Sequence, residues 1–110
     1  MAWNIEYFND KLANKILKFP TGILARYLHL TELMQDFGPN LGMPHTRSFG
    51  DKLFELRMKS KEGIGRVFYC TKVKNKIIMV HSFIKKTQKT PEKEIKIARK
   101  RLAEVLKNES

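Results

Sequence analysis

At 110 residues, 42% hydrophobic and 30% charged, the chain is long enough for one domain with a two-layer core, too short for two, and too apolar for disorder. Twenty-two Lys and Arg against 11 Asp and Glu leave a net charge of +11, a field that draws nucleic acid, an acidic protein or an anionic surface. No apolar run approaches the roughly 20 residues of a spanning helix, MAWNIEYFND is not signal-like, and Cys70 is the lone cysteine, which together disfavour a membrane partner and point to the cytoplasm.

In chain order, WNIEYF is rich in aromatic and β-branched residues and reads as a short strand. Leu12, Ala13, Ile16 and Leu17 then fall at helical spacing, with Asn9 or Asp10 able to cap and Pro20 as the stop. After Thr21 and Gly22, the residues Leu24, Tyr27, Leu28, Thr31 and Met34 mark one face of a longer helix that Gly38 and Pro39 end, so a helical hairpin is expected. GPNLGMPHTRSFGD has recurrent Gly and Pro and no periodicity, and reads as a long loop.

KLFELRMK alternates, with Phe54, Leu56 and Met58 on one side and Leu53, Glu55, Arg57 and Lys59 on the other. SKEGIG supplies a turn, GRVFYCTKV a central strand, Lys74, Asn75 and Lys76 a tight turn, and KIIMVHSFIK the third strand of a meander. Thr90 as N-cap, Pro91 at the first helical position and Glu92 and Glu94 in the first turn start a final helix. Its narrow stripe of Ile95, Ala98, Leu102, Val105 and Leu106 is flanked by Lys96, Arg99, Lys100, Arg101 and Lys107. The fold class is α+β, with helices segregated on a small sheet, and residues 1–110 form a single domain.

PHTRSFGDKLFELRMK, GIGRVFYCTKV and IIMVHSFIKKTQKTPEKEIKIARKR, in that order, resemble HigB-type toxins of the RelE/ParE superfamily, including their phage-derived relatives. The resemblance spans about residues 41–106 and matches the N-terminal third only in layout. It implies a RelE/ParE-like small antiparallel sheet with an N-terminal helical hairpin and a C-terminal helix. It further implies a metal-independent endoribonuclease of a type II toxin–antitoxin module, needing no cofactor, that cleaves mRNA in the ribosomal A site. The implied partners are the ribosome, mRNA and a helix-turn-helix, HigA-like antitoxin.

Metal-free RNA cleavage needs the 2′-hydroxyl deprotonated, the crowded phosphate stabilised and the leaving oxygen protonated. Arginine's fork suits the phosphate, while lysine acts as a base only where burial or neighbouring cations lower its pKa. Parity turns Arg57 away from the Phe54, Leu56 and Met58 face, and Arg66 shares the parity of Phe68 and Cys70. The resemblance makes both catalytic candidates. Of Lys85 and Lys86, which end the third strand, one must face the site. Lys85 is favoured because Ile78, Val80 and Ile84 look like the core-facing set, although a bulge would reverse this.

His81 shares Lys85's parity but reads first as a packed, hydrogen-bonded histidine, His29 as structural or exposed, and Tyr69 and Cys70 as core. His45, before the strand, is an RNA-contact candidate, as are Lys59, Lys61, Lys72 and Lys89; Lys74 and Lys76 add charge at a strand end. The three histidines are too far apart in sequence to read as a metal site. Two other function classes compete: a non-enzymatic, ParE-like inhibitor of DNA gyrase, and a phage-derived RNA-binding protein without catalysis.

Overall fold

A computed structural model describes residues 2–85 and 89–108. The elements are β1 (Asn4–Tyr7), α1 (Asp10–Leu17), α2 (Thr21–Phe37), β2 (Thr46–Ser48), β3 (Phe54–Ser60), β4 (Gly63–Lys72), β5 (Lys76–Lys85) and α3 (Glu92–Lys107). Five strands make one sheet in the order β1-β5-β4-β3-β2. The antiparallel meander β3-β4-β5 is the expected one. The sheet as a whole is mixed rather than antiparallel, because β1 joins the edge of β5 in parallel. Within the stretch read as a loop, Thr46–Ser48 forms β2 and pairs with β3.

Helices cover both faces of this sheet. On one face, Leu12 and Ile16 of α1 and Ile23, Tyr27, Leu30 and Met34 of α2 share a core with sheet residues such as Leu56, Val67 and Met79. On the other, Ala98 and Leu102 of α3 pack with Leu53, Phe68, Cys70 and Val80. Each fully buried aliphatic or aromatic side chain contributes roughly 1.5–3 kcal/mol, so both layers matter to stability. Among the described residues, no helix is long and apolar enough to cross a membrane.

Local chemistry sets the helix ends. The Asn9 side chain accepts a hydrogen bond from the Leu12 backbone N–H at 2.8 Å, which makes Asn9 the cap of α1. α1 lies mainly along β5, whereas α2 lies mainly along β3. α2 has no side-chain cap of its own at Pro20. Instead the Glu62 carboxylate, from the β3–β4 turn, accepts from the Gly22 N–H, where the helix dipole favours an anion. Gly38, at φ +95, ends the helix. The buried face of α2 is Ile23, Tyr27, Leu30, Thr31 and Met34, while Leu28, expected inside, is 51% exposed. Leu28 lies one residue on from Tyr27, about 100° around the helix and away from the sheet.

A bulge between β4 and β5 corrects the parity read for the third strand. Phe68 pairs with His81 and Tyr69 with Met79, which leaves Val80 as the extra residue. Ile78 and Val80 therefore lie in the α3-side core, on the same face as Lys85, whereas Ile77 and Met79 point into the α1/α2 core. Ile84, the third member of the supposed core set, is 43% exposed.

Basic residues on α3 partly serve structure. Arg99 donates to the carbonyls of Phe49 and Gly50, at 2.7 and 3.1 Å, and Arg101 donates to the Val80 carbonyl at 2.9 Å. These bonds satisfy loop oxygens and the carbonyl of Val80, the unpaired residue of β5, which would otherwise need water.

Candidate polyanion-binding site

α3 covers only part of its face of the sheet, and the remaining part carries the charge. Arg57 of β3 stands directly opposite Arg66 of β4, and Ile64, two residues before Arg66, pairs with Lys85 of β5. Side chains two apart share a face, so Arg57, Arg66 and Lys85 project from the same side. Glu55 lies one row further in on that side and is 1% exposed. Its Oε1 is 3.3 Å from Arg66 Nε and 3.8 Å from Arg57 Nε. Its Oε2 accepts a 3.1 Å hydrogen bond from the Thr90 hydroxyl.

Thr90 therefore does not cap the last helix as expected. Pro91 occupies the N-cap position without a side-chain bond, and α3 begins at Glu92. A buried carboxylate gains more from a hydroxyl donor than exposed first-turn N–H groups do, since water already serves them.

Arg66 is buried, and its Nε and that of Arg57 make no directed hydrogen bond despite their closeness to Glu55. One carboxylate thus faces two guanidinium groups and leaves both forks with donors to spare. Burial lowers the Arg66 pKa below its ordinary value; Glu55 opposes that, and Arg57 and Arg47 add to it. Lys85, 5% exposed, also titrates below its usual range. Burial is the first cause, Arg66 the second, with Arg57 and Arg47 acting in the same sense and Glu55 against.

Beside these cations a cleft of about 270 Å³ opens at the β3–β4 end of the sheet, and its lining reaches α2. Arg57, Lys59 and Arg66 line it from the strands and Arg26 from α2. His45, just before β2, and the apolar Pro44 and Ile64 complete its wall. The His45 carbonyl accepts from the Arg57 N–H at 2.9 Å, which ties that wall to β3.

Of the residues singled out from sequence, Arg57, Arg66 and Lys85 come together, with His45 and Lys59 in the adjoining cleft. Lys61 is exposed in the β3–β4 turn and does not line the cleft. Lys72 lies at the far end of β4, six residues or roughly 20 Å from Arg66, where it pairs with Lys76 and borders a separate groove with Glu6 and Glu104. Lys89 is exposed just before α3, and Lys86 lies outside the described residues. His81 is a packed side chain as expected: it is buried, stacks with Phe83 and meets Glu94 Oε1 at 2.7 Å. Tyr69 and Cys70 are buried, with the Tyr69 hydroxyl donating to the Pro39 carbonyl. Among the described residues, no three His, Cys, Asp or Glu side chains converge to hold a metal.

Glu55 and Arg26 were not anticipated. The parity that turned Arg57 outward also puts Glu55 on its face, and a carboxylate two residues from an arginine on one strand is a pairing signal. Arg26 carries no such mark, because its role depends on where α2 docks.

Sheet and site together define a small basic α+β protein in which Arg57, Arg66 and Lys85 gather near one buried carboxylate. A family model described as phage-derived protein Gp49-like (DUF891) matches residues 14–103, a span from within α1 to within α3. The chain belongs to this Gp49-like family, which is associated with RelE/ParE-like toxins. A comparison with curated proteins gives no match.

Proposed function

We propose that this protein is the HigB-type toxin of a type II toxin–antitoxin module and that it cleaves mRNA on the ribosome, in the cytoplasm, without a metal. The observation that carries this reading is the convergence of Arg57, Arg66 and Lys85 around the buried Glu55. In the proposed reaction the 2′-hydroxyl attacks the adjacent phosphorus, the bond to the 5′-oxygen breaks, and a 2′,3′-cyclic phosphate and a 5′-hydroxyl result. Arg66 and Arg57 take the charge that builds on the phosphorane oxygens. Lys85, whose pKa is depressed by burial and by Arg66, accepts the 2′-hydroxyl proton. Solvent on the open cleft side returns a proton to the leaving 5′-oxygen, and His45 and Lys59 contact the RNA there. A helix-turn-helix, HigA-like antitoxin is the partner that would hold this activity in check.

Transcript-end mapping after induction tests the proposal. Wild-type protein should give new mRNA 5′ ends on translating ribosomes, and the Arg57→Ala, Arg66→Ala double variant should give none while remaining folded. Retained cleavage in that variant removes these residue roles. Growth arrest with intact mRNA and damaged DNA would replace the nuclease by a gyrase inhibitor, and salt-dependent ribosome binding with uncut transcripts by a non-catalytic RNA-binding protein.

A further inference from the structure

The cleft beside the cation cluster is built from two parts of the chain that the strand pattern does not connect. Its strand side carries Arg57, Lys59 and Arg66, and its helix side carries Arg26. Arg26 is exposed and makes no hydrogen bond or ion pair among the described residues. The helix under it is fixed: the Glu62 carboxylate holds the Gly22 N–H one turn earlier, and Ile23 is fully buried against the β3–β4 end of the sheet. An arginine without an ion pair among the described residues thus borders a cationic cleft whose wall, among those residues, includes no carboxylate. Glu55, set behind Arg66 and Arg57, offsets only part of this charge, and the excess cations repel one another unless an anion joins them.

The cleft's chemistry is mixed. Pro44 and Ile64 give it apolar wall, and His45 gives it a flat ring. Its volume of about 270 Å³ lies just below the roughly 300–1,000 Å³ of pockets that enclose a drug-sized ligand, so it suits one unit of a chain that enters and leaves. Lys59 is one row beyond Arg57 on the strand, a step of roughly 6.6 Å, comparable to the distance between successive phosphates of an extended polynucleotide.

We infer that this cleft is the subsite for the nucleotide next to the cleaved phosphodiester. Arg26 and Lys59 bind its phosphate, and Pro44, His45 and Ile64 receive its base. The inference rests on the proposed reading of the site as one that takes RNA. It adds that α2, outside the strand pattern, contributes a substrate contact, and that the preferred ligand is a single strand extending beyond the scissile bond.

The test separates binding from cleavage. A fluorescently labelled single-stranded DNA oligonucleotide has no 2′-hydroxyl and is not cut, so its affinity can be titrated against salt for wild type and for Arg26→Ala. Each phosphate contact contributes about 0.7 to the slope of log K against log salt for a single strand. Arg26→Ala should weaken binding several-fold and lower the slope by about that amount. Lys11→Ala, which removes an exposed cation of α1 outside the cleft, should leave the slope unchanged. In ribosome-dependent cleavage, Arg26→Ala should raise KM and leave kcat near the wild-type value. A wild-type slope in Arg26→Ala, or an equal fall in Lys11→Ala, overturns the subsite. Loss of the nuclease reading appears separately, as uncut transcripts with wild-type protein, and leaves the oligonucleotide result to be read by itself.

Discussion

Removing the Glu55 carboxylate should destabilise the protein by about 4 kcal/mol. Glu55→Ala leaves Arg66, 2% exposed, buried without its counter-charge. Removing one partner of a buried ion pair costs about 3–5 kcal/mol. Because the 3.3 Å approach to Arg66 Nε lacks hydrogen-bond geometry, the lower end, about 3 kcal/mol, applies. The Thr90 hydroxyl, also buried, loses its acceptor, which adds about 1 kcal/mol. A domain of this size is stable by roughly 5–15 kcal/mol, so urea midpoints should fall far and Tm by roughly 15–20 °C. Two controls isolate the electrostatic cause. Adding Arg66→Met to Glu55→Ala should recover much of the loss, since both buried charges are then gone. Inorganic phosphate should raise the Tm of Glu55→Ala more than that of wild type, because an anion can take the vacated place among the cations. A loss below about 1 kcal/mol in Glu55→Ala, or no recovery in the double variant, would refute the reading of Glu55 as the internal counter-ion.

Two further changes probe the surrounding frame. His81 titrates below 6.5, chiefly through burial, with Lys15 and Arg101 adding and its hydrogen bond to Glu94 opposing. The folded protein then binds fewer protons than the unfolded chain, so stability drops as pH falls from 6.5 toward the lower folded value and the penalty is constant beneath it. Urea midpoints at about pH 7.5 and about pH 5.5 should therefore separate more in wild type than in His81→Gln; equal separations remove the argument. At Gly65 a Cβ would come within 2.6 Å of Ile23 Cγ2 and 3.0 Å of Met58 Cε. Gly65→Ala should cost roughly 1–3 kcal/mol by overpacking, and combined with Ile23→Ala less than the two single losses together, measured by equilibrium unfolding.

Elements that carry their own signal were legible in the sequence. KIIMVHSFIK is β5 residue for residue, because its apolar run is bounded by a turn whose central residues, Lys74 and Asn75, both have positive φ. β3 was legible because Phe54, Leu56 and Met58 alternate with polar neighbours, and the face that alternation assigns to Arg57 is the face the structure shows. Thr46–Ser48 has three residues and no apolar rhythm, so β2 exists only through its pairing with β3. β1 was readable as a strand, but its parallel seat on β5 depends on how two intervening helices pack.

The site divides along the same line. The family resemblance singled out Arg57 and Arg66, and parity gave Arg57 its face, since a strand's alternation is a local property of the chain. The same parity failed along β5, where one extra residue at Val80 puts Ile78 and Lys85 on the same face of the sheet. No residue at that position announces a bulge; it reflects register against β4, with Phe68 opposite His81 and Tyr69 opposite Met79. Thr90 shows the complementary failure. Its place before Pro91 and Glu92 is a sound capping signal, yet its hydroxyl turns to Glu55, 35 residues away in sequence. A carboxylate buried beside two arginines makes a stronger claim on a donor than a helix end that water can reach. Where local capping chemistry and a distant buried charge compete for one hydroxyl, burial decides, and the departure from the local pattern marks the centre of the site.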